Sequence, residues 1–124
     1  MSKIEKIWIS KEGFECWVVM TSMGHRCGYV RVSKDNLTNE LNSYDDVPVS
    51  IHGGLTYGNN GVWGFDCAHL MDTPEIWTKE AVKEEVNKLS EQLSRITWKE
   101  VIKSKLEYMP EWFKIRVSIK GSKQ

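Results

Sequence analysis

The sequence predicts an α+β fold: a mostly antiparallel sheet, one or two C-terminal helices packed on one face, and a final strand returning towards the sheet. Three patterns point there. Before residue 70, short runs of β-branched and aromatic residues are separated by glycine and asparagine turns, as in consecutive antiparallel strands. From Thr78 the period changes: Val82, Val86, Leu89, Leu93 and Ile96 recur at i, i+4, i+7, i+11 and i+14, which puts them on one face of an amphipathic helix. Near the end, Phe113, Ile115, Val117 and Ile119 alternate with Lys114, Arg116, Ser118 and Lys120, the period of a strand with one wet face.

The elements follow in order. Residues 3–9 (KIEKIWI) form a first strand, and Lys11-Glu12-Gly13 a turn. Residues 14–21 (FECWVVMT) form a second strand. Gly24 and Gly28 bracket His25-Arg26-Cys27, and residues 29–32 (YVRV) read as a third strand. Residues 33–46 are polar and read as a long surface loop. Val47, Val49 and Ile51 alternate with Pro48 and Ser50, which predicts a short edge strand, because proline cannot donate to a ladder. The turn Gly58-Asn59-Asn60-Gly61 joins residues 52–57 to a strand over 62–68, and Asn-Gly is a strong hairpin signal. Thr78 is placed to cap the first helix, with Glu80 near its positive end and Pro74 at the boundary. A second helical stretch runs from Trp98 to Glu107 and ends near Pro110.

Length and composition bound the function. A chain of 124 residues fits a single domain, taken as residues 1–120 with 121–124 as a tail. Seventeen basic groups balance seventeen acidic ones, which argues against general nucleic-acid binding, since that rests on excess Lys and Arg. The longest apolar run is five residues, far short of the roughly 20 that span a bilayer, so no membrane association is expected. The segment Met1-Ser2-Lys3-Ile4-Glu5-Lys6 carries an acid and no apolar core, so no secretory signal is expected. Three cysteines without a CxxC argue against a disulfide framework and for a reducing cytoplasm. Six tryptophans must fill a core, an interface or a stacking site.

The chemistry-bearing residues gather in three loop motifs: Gly24-His25-Arg26-Cys27-Gly28-Tyr29, His52-Gly53-Gly54-Leu55-Thr56-Tyr57, and Phe65-Asp66-Cys67-Ala68-His69 with Asp72 three residues on. Gly53 and Gly54 let the backbone approach a ligand closely, and their amides could hold a phosphate with help from Thr56 and His52. They could equally serve a bulge or turn. The segment is not a Walker loop, because no GKT or GKS follows. His25, His52, His69, Cys27, Cys67, Asp66 and Asp72 are all possible metal ligands, yet none falls in an HExxH or CxxC spacing. Cys67 sits in an apolar strand pattern and reads as a core residue. Tyr57 and Trp63 flank the hairpin, where an aromatic plane beside a glycine loop would suit a nucleotide base. Core packing is the competing use of each tryptophan. Arg26, inside the first motif, is placed for a ligand contact.

In combination, GHxCGYV over Gly24–Val30, HGGLTY from His52, GFDCAHxxD from Gly64 to Asp72, and Glu85-x-x-x-Leu89-x-x-Gln92-Leu93 resemble a family of small phage and prophage proteins. The resemblance covers about residues 24–93. That family often carries glycine before the final aspartate, where this chain has Met71. The resemblance implies a phage accessory product that disarms host defence in the host bacterial cytoplasm. The expected mode is capture of a cyclic or ADP-ribose-type nucleotide second messenger without cleavage, in a pocket often completed by a second copy. The expected ligand-binding residues are His25, Arg26, His52, Gly53, Gly54, Thr56, Tyr57, Trp63, Asp66, His69 and Asp72. No catalytic residue, metal or cofactor is assigned, and a homo-oligomer is expected. Three other readings stay open: a protein-binding inhibitor of a defence effector, a small hydrolase or metalloenzyme using His52, His69 and Asp66, or a structural or regulatory phage protein whose motifs only build the fold.

Overall fold

The computed structural model describes residues 1–107 and 111–112. The expected final strand and tail lie outside the described residues. Within them the chain is α+β: strands β1 (Lys3–Ile9), β2 (Glu15–Met20), β3 (Arg26–Arg31), β4 (Tyr57–Asn59) and β5 (Val62–Asp66), then helices α1 (Lys79–Arg95) and α2 (Trp98–Leu106). The five strands form one sheet in the order β1-β2-β3-β5-β4, with every neighbouring pair antiparallel.

Alternation sorts the side chains of this sheet onto two faces. Cys16 and Val18 of β2, Val30 of β3, and Trp63 and Phe65 of β5 point inward and are buried. They meet α1, whose Val82, Val86, Leu89 and Leu93 are buried along the predicted stripe. The helix begins where the sequence places it: Thr78 accepts the Ala81 N–H at 3.2 Å. Thr97 and Glu100 form a capping box at the start of α2, each side chain accepting the other's backbone N–H. α1 can approach β3 closely because of Gly28: a Cβ there would lie 2.4 Å from Val86 Cγ2 and 2.8 Å from the Phe65 ring. The glycine of the first motif therefore serves helix–sheet packing.

The segment over 47–51 is not the strand its alternation predicts. Val47 is buried, and Val49 and Ile51 pack against the core, so the alternation is real. Its backbone, however, is satisfied by helix side chains instead of a ladder. The Gln92 amide accepts the Ser50 N–H at 2.6 Å and donates to the Ser50 carbonyl at 2.9 Å, and Glu85 accepts the His52 N–H at 2.7 Å. Residues 33–46 form the expected loop, tightened by 3₁₀ turns at Leu37–Glu40 and Tyr44–Asp46. The third strand starts earlier than expected, at Arg26, because β3 pairs with β2 back to Met20.

Cys16, Cys27 and Cys67 are free and buried. Burial pushes the Cys16 thiol up to about 11 and the Cys67 thiol up to about 12, and it raises Cys27 as well. Thiolate is the reactive species, so a disulfide-exchange reagent at pH 8 is expected to leave all three cysteines unmodified in the native protein and to titrate three in denaturant. Rapid native labelling would contradict the burial. Among the described residues, no helix is long and apolar enough to cross a membrane.

Candidate functional site

Two loops meet beside α1. The first, over 51–54, is tied to the helix by the Glu85 and Gln92 contacts and turns through Gly53 and Gly54, at φ +68° and +77°. The second leaves β5 at Asp66, whose carboxylate accepts the Ala68 N–H at 3.1 Å and so folds the chain back. It closes with the Asp72 N–H on the His69 carbonyl at 2.9 Å. These turns bring His52, His69 and Asp72 together.

Asp72 is the hub. One carboxylate oxygen lies 2.8 Å from His52 Nε2 and 3.3 Å from His69 Nδ1, and it accepts the His69 N–H at 3.0 Å. The Asp72 side chain is 6% exposed, against 24% for His52 and 38% for His69. Desolvation pushes the Asp72 pKa up, but the hydrogen bonds from His52 and from the His69 amide prevail and hold it below the ordinary carboxylate range. Asp66 stands at the rim, 3.7 Å from His69 Nδ1. The His52 ring lies over Trp77, with centroids 4.0 Å apart and planes tilted by 31°. The His69 ring meets His52 edge-on at 5.4 Å. Gly53 makes room for it, since a Cβ there would lie 2.2 Å from His69 Cε1.

Met71, directly before the hub, has φ +75°, a left-handed conformation that costs an L-residue about 1–2 kcal/mol and glycine almost nothing. Met71 is exposed, so no packing is lost on its removal. Met71→Gly is therefore expected to leave stability unchanged or raise it by up to about 1 kcal/mol in urea unfolding. A loss above that size would show that the turn does not need the conformation.

The other expected residues lie in several places. Arg26 has partners within the protein: Nε donates to Glu5 at 2.6 Å, and Nη1 donates to the Pro74 and Trp77 carbonyls at 3.1 and 3.0 Å. It braces the segment that carries Trp77. His25 contacts the Thr21 hydroxyl at 3.3 Å on the β2–β3 turn. The Thr56 N–H extends the β4–β5 ladder to the Gly64 carbonyl. Tyr57 lies on the outer sheet face, edge-on to Tyr29 at 5.6 Å. Trp63 is 1% exposed, and its indole donates to the Thr38 hydroxyl at 3.0 Å, so it belongs to the core. The cluster thus joins the second and third motifs, and the first supports them through Arg26. Two contributors, Trp77 and Glu85, are not among the residues that the sequence assigns to the site, although Glu85 opens the last of the four motifs. Glu85 stands next to Val86 of the apolar stripe, a flank position from which an acid can reach a neighbouring loop. Trp77 immediately precedes the helix cap, and nothing in its local pattern ties it to His52.

Comparison with protein-family models, curated proteins and solved structures gives no match.

Proposed function

We propose that this chain captures a small phosphate-bearing nucleotide, of the cyclic or ADP-ribose type, in the loop layer around Asp72, and holds it without cleaving it. On this reading it is a phage product acting in the host cytoplasm against a nucleotide-signalled defence. The observation that carries the reading is the convergence of the 51–54 and 66–77 loops on one carboxylate beside an aromatic ring. His52 and His69 supply ring nitrogens and Trp77 an apolar plane. Gly54, with nothing within 4 Å of a would-be Cβ, keeps one side of the loop open. Among the described residues, no hydroxyl or thiol hydrogen-bonds to either imidazole of the cluster. The neighbouring Cys67 thiol is held at about 12. Both facts favour holding over cleaving.

A hydrolytic reading has one observation in its favour: Asp72 lies 2.8 Å from His52 Nε2, a contact that could orient the ring as a general base for water. One experiment separates the two. The protein is incubated with a panel of cyclic nucleotides and ADP-ribose isomers, its melting point is read, and the ligand is recovered after heat denaturation. A captured ligand raises stability by about 2.7 kcal/mol at a hundredfold excess over Kd and returns intact. A hydrolase returns a changed product. No shift and no product across the panel would overturn the nucleotide reading.

The expected homo-oligomer, and the inhibitor alternative, share a different surface. Among the described residues, no helix covers the outer sheet face, where Ile4, Ile7 and Ile9 are 56, 62 and 64% exposed alongside Trp17 and Tyr29. An apolar patch of this kind favours a protein contact, and a second copy would bury it on both molecules.

A further inference from the structure

We infer that the atoms meeting at Asp72 form a site for one divalent transition-metal ion of the zinc class, held by His52 Nε2, His69 Nδ1 and an Asp72 carboxylate oxygen. The inference rests on reading this loop layer as the ligand site, and it names the ion that would sit there.

The donor set comes first. Two imidazoles and one carboxylate suit zinc and its neighbours in the first transition row, and three protein ligands leave further positions for water or a ligand. The three donor atoms lie within 4.8 Å of one another. Zinc bonds of about 2.0–2.2 Å at tetrahedral angles would set donors about 3.3–3.5 Å apart. The His69–Asp72 pair, at 3.3 Å, already has that separation. The His52–Asp72 pair, at 2.8 Å, needs to open by about half an ångström.

The surrounding shell holds each donor in place. The His52 ring is packed on Trp77, and its backbone N–H is fixed by Glu85. Asp72 follows the left-handed Met71 and accepts the His69 N–H. The His69 ring occupies the space that the missing Gly53 Cβ leaves. Such outer contacts orient metal ligands and set their affinity.

Charge gives the second reason. The site is ringed by Asp66, Asp72 and Glu85, with Lys88 paired to Glu85 at 3.6 Å. Arg26, the one arginine in the loop motifs, is spent on Glu5 and two carbonyls. A phosphate entering here meets carboxylates, whereas a divalent cation is attracted by them and then supplies the positive charge a phosphate needs.

The test uses the whole chain, stripped with a chelator and titrated with Zn²⁺ by calorimetry, then with Co²⁺ by absorption. One equivalent of Zn²⁺ is expected. The cobalt spectrum should show nitrogen and oxygen ligation without a thiolate charge-transfer band. His52→Ala, His69→Ala and Asp72→Asn should each weaken Zn²⁺ binding at least tenfold, and His25→Ala should leave it unchanged. His69 is the most exposed of the three ligands, so His69→Ala serves as the decisive variant if the Asp72 variant melts early. Stoichiometry well below one, a thiolate band, or equal binding by His69→Ala would overturn the inference. Zn²⁺ binding with no nucleotide shift would sustain the ion and remove the nucleotide reading. Nucleotide binding that is undiminished in chelator would sustain the nucleotide reading and overturn the ion's part in holding the phosphate.

Discussion

Trp63→Ala is expected to cost about 3–5 kcal/mol of stability, the range for removing a buried large aromatic. Typical domains are stable by only about 5–15 kcal/mol, so the variant should unfold at a much lower urea concentration with the slope of the transition unchanged. The indole is held on several sides. Its N–H donates to Thr38, itself fully buried, and its ring lies over the backbone of Gly58, where a Cβ would be 2.3 Å away. Alanine leaves a cavity and removes the donor from the Thr38 hydroxyl. Trp63→Phe keeps much of the apolar area and should cost less than Trp63→Ala. Tyr57→Ala, on the 43% exposed ring at the other end of the hairpin, should change stability by no more than about 0.5 kcal/mol. If Trp63 were instead a ligand shelf, its removal would abolish binding and leave the urea midpoint in place.

Trp63 also shows where sequence reading stops. A tryptophan in a strand that alternates with glycine can face either side, and only the register decides. Trp63 is opposite Val30, on the helix side of the sheet, while Gly64 is opposite Tyr29 on the other side. The fold itself was legible, because burial has a period. The stripe from Val82 to Leu93 is fully buried, and Thr78 caps the helix. The Asn60-Gly61 turn makes its hairpin with both residues at positive φ. The segment over 47–51 was misread because alternation reports which side chains are buried, while a strand also needs a backbone partner. Gln92 and Glu85 took that role.

The site was legible in part, for a related reason. His69 and Asp72 are three residues apart in one turn, so the sequence already makes them neighbours. His52 reaches them only through the path of the 51–54 loop along α1. Metal spacings such as HExxH are visible in a sequence because one helix turn supplies both ligands. Here the ligands come from two loops, and no such spacing exists to be found. An arginine in a glycine-rich motif looks available to a ligand, yet the partners of Arg26, which are Glu5, Pro74 and Trp77, lie on other segments that its own motif does not reveal.

Gly53→Ala and Gly54→Ala should have nearly equal effects on stability and very different effects on the site. Both glycines have positive φ, +68° and +77°, so each alanine should cost about 1–2 kcal/mol of backbone strain. At Gly54 the new methyl group meets nothing within 4 Å. At Gly53 it would lie 2.2 Å from His69 Cε1, 2.6 Å from Nε2 and 2.8 Å from Nδ1. The fold can absorb that clash cheaply, because His69 is 38% exposed and its ring is free to swing outward. The swing takes Nδ1 away from Asp72. The matched pair thus holds strain constant and varies only the position of one imidazole. Gly53→Ala is expected to weaken Zn²⁺ binding at least tenfold relative to Gly54→Ala, at similar urea midpoints. In metal-free protein, the His69 ring signals in NMR should be displaced in Gly53→Ala and stay in place in Gly54→Ala. Equal Zn²⁺ affinities together with unmoved His69 ring signals would mean that the ring does not depend on the Gly53 cradle, and the link between the HGG loop and the Asp72 hub would be lost.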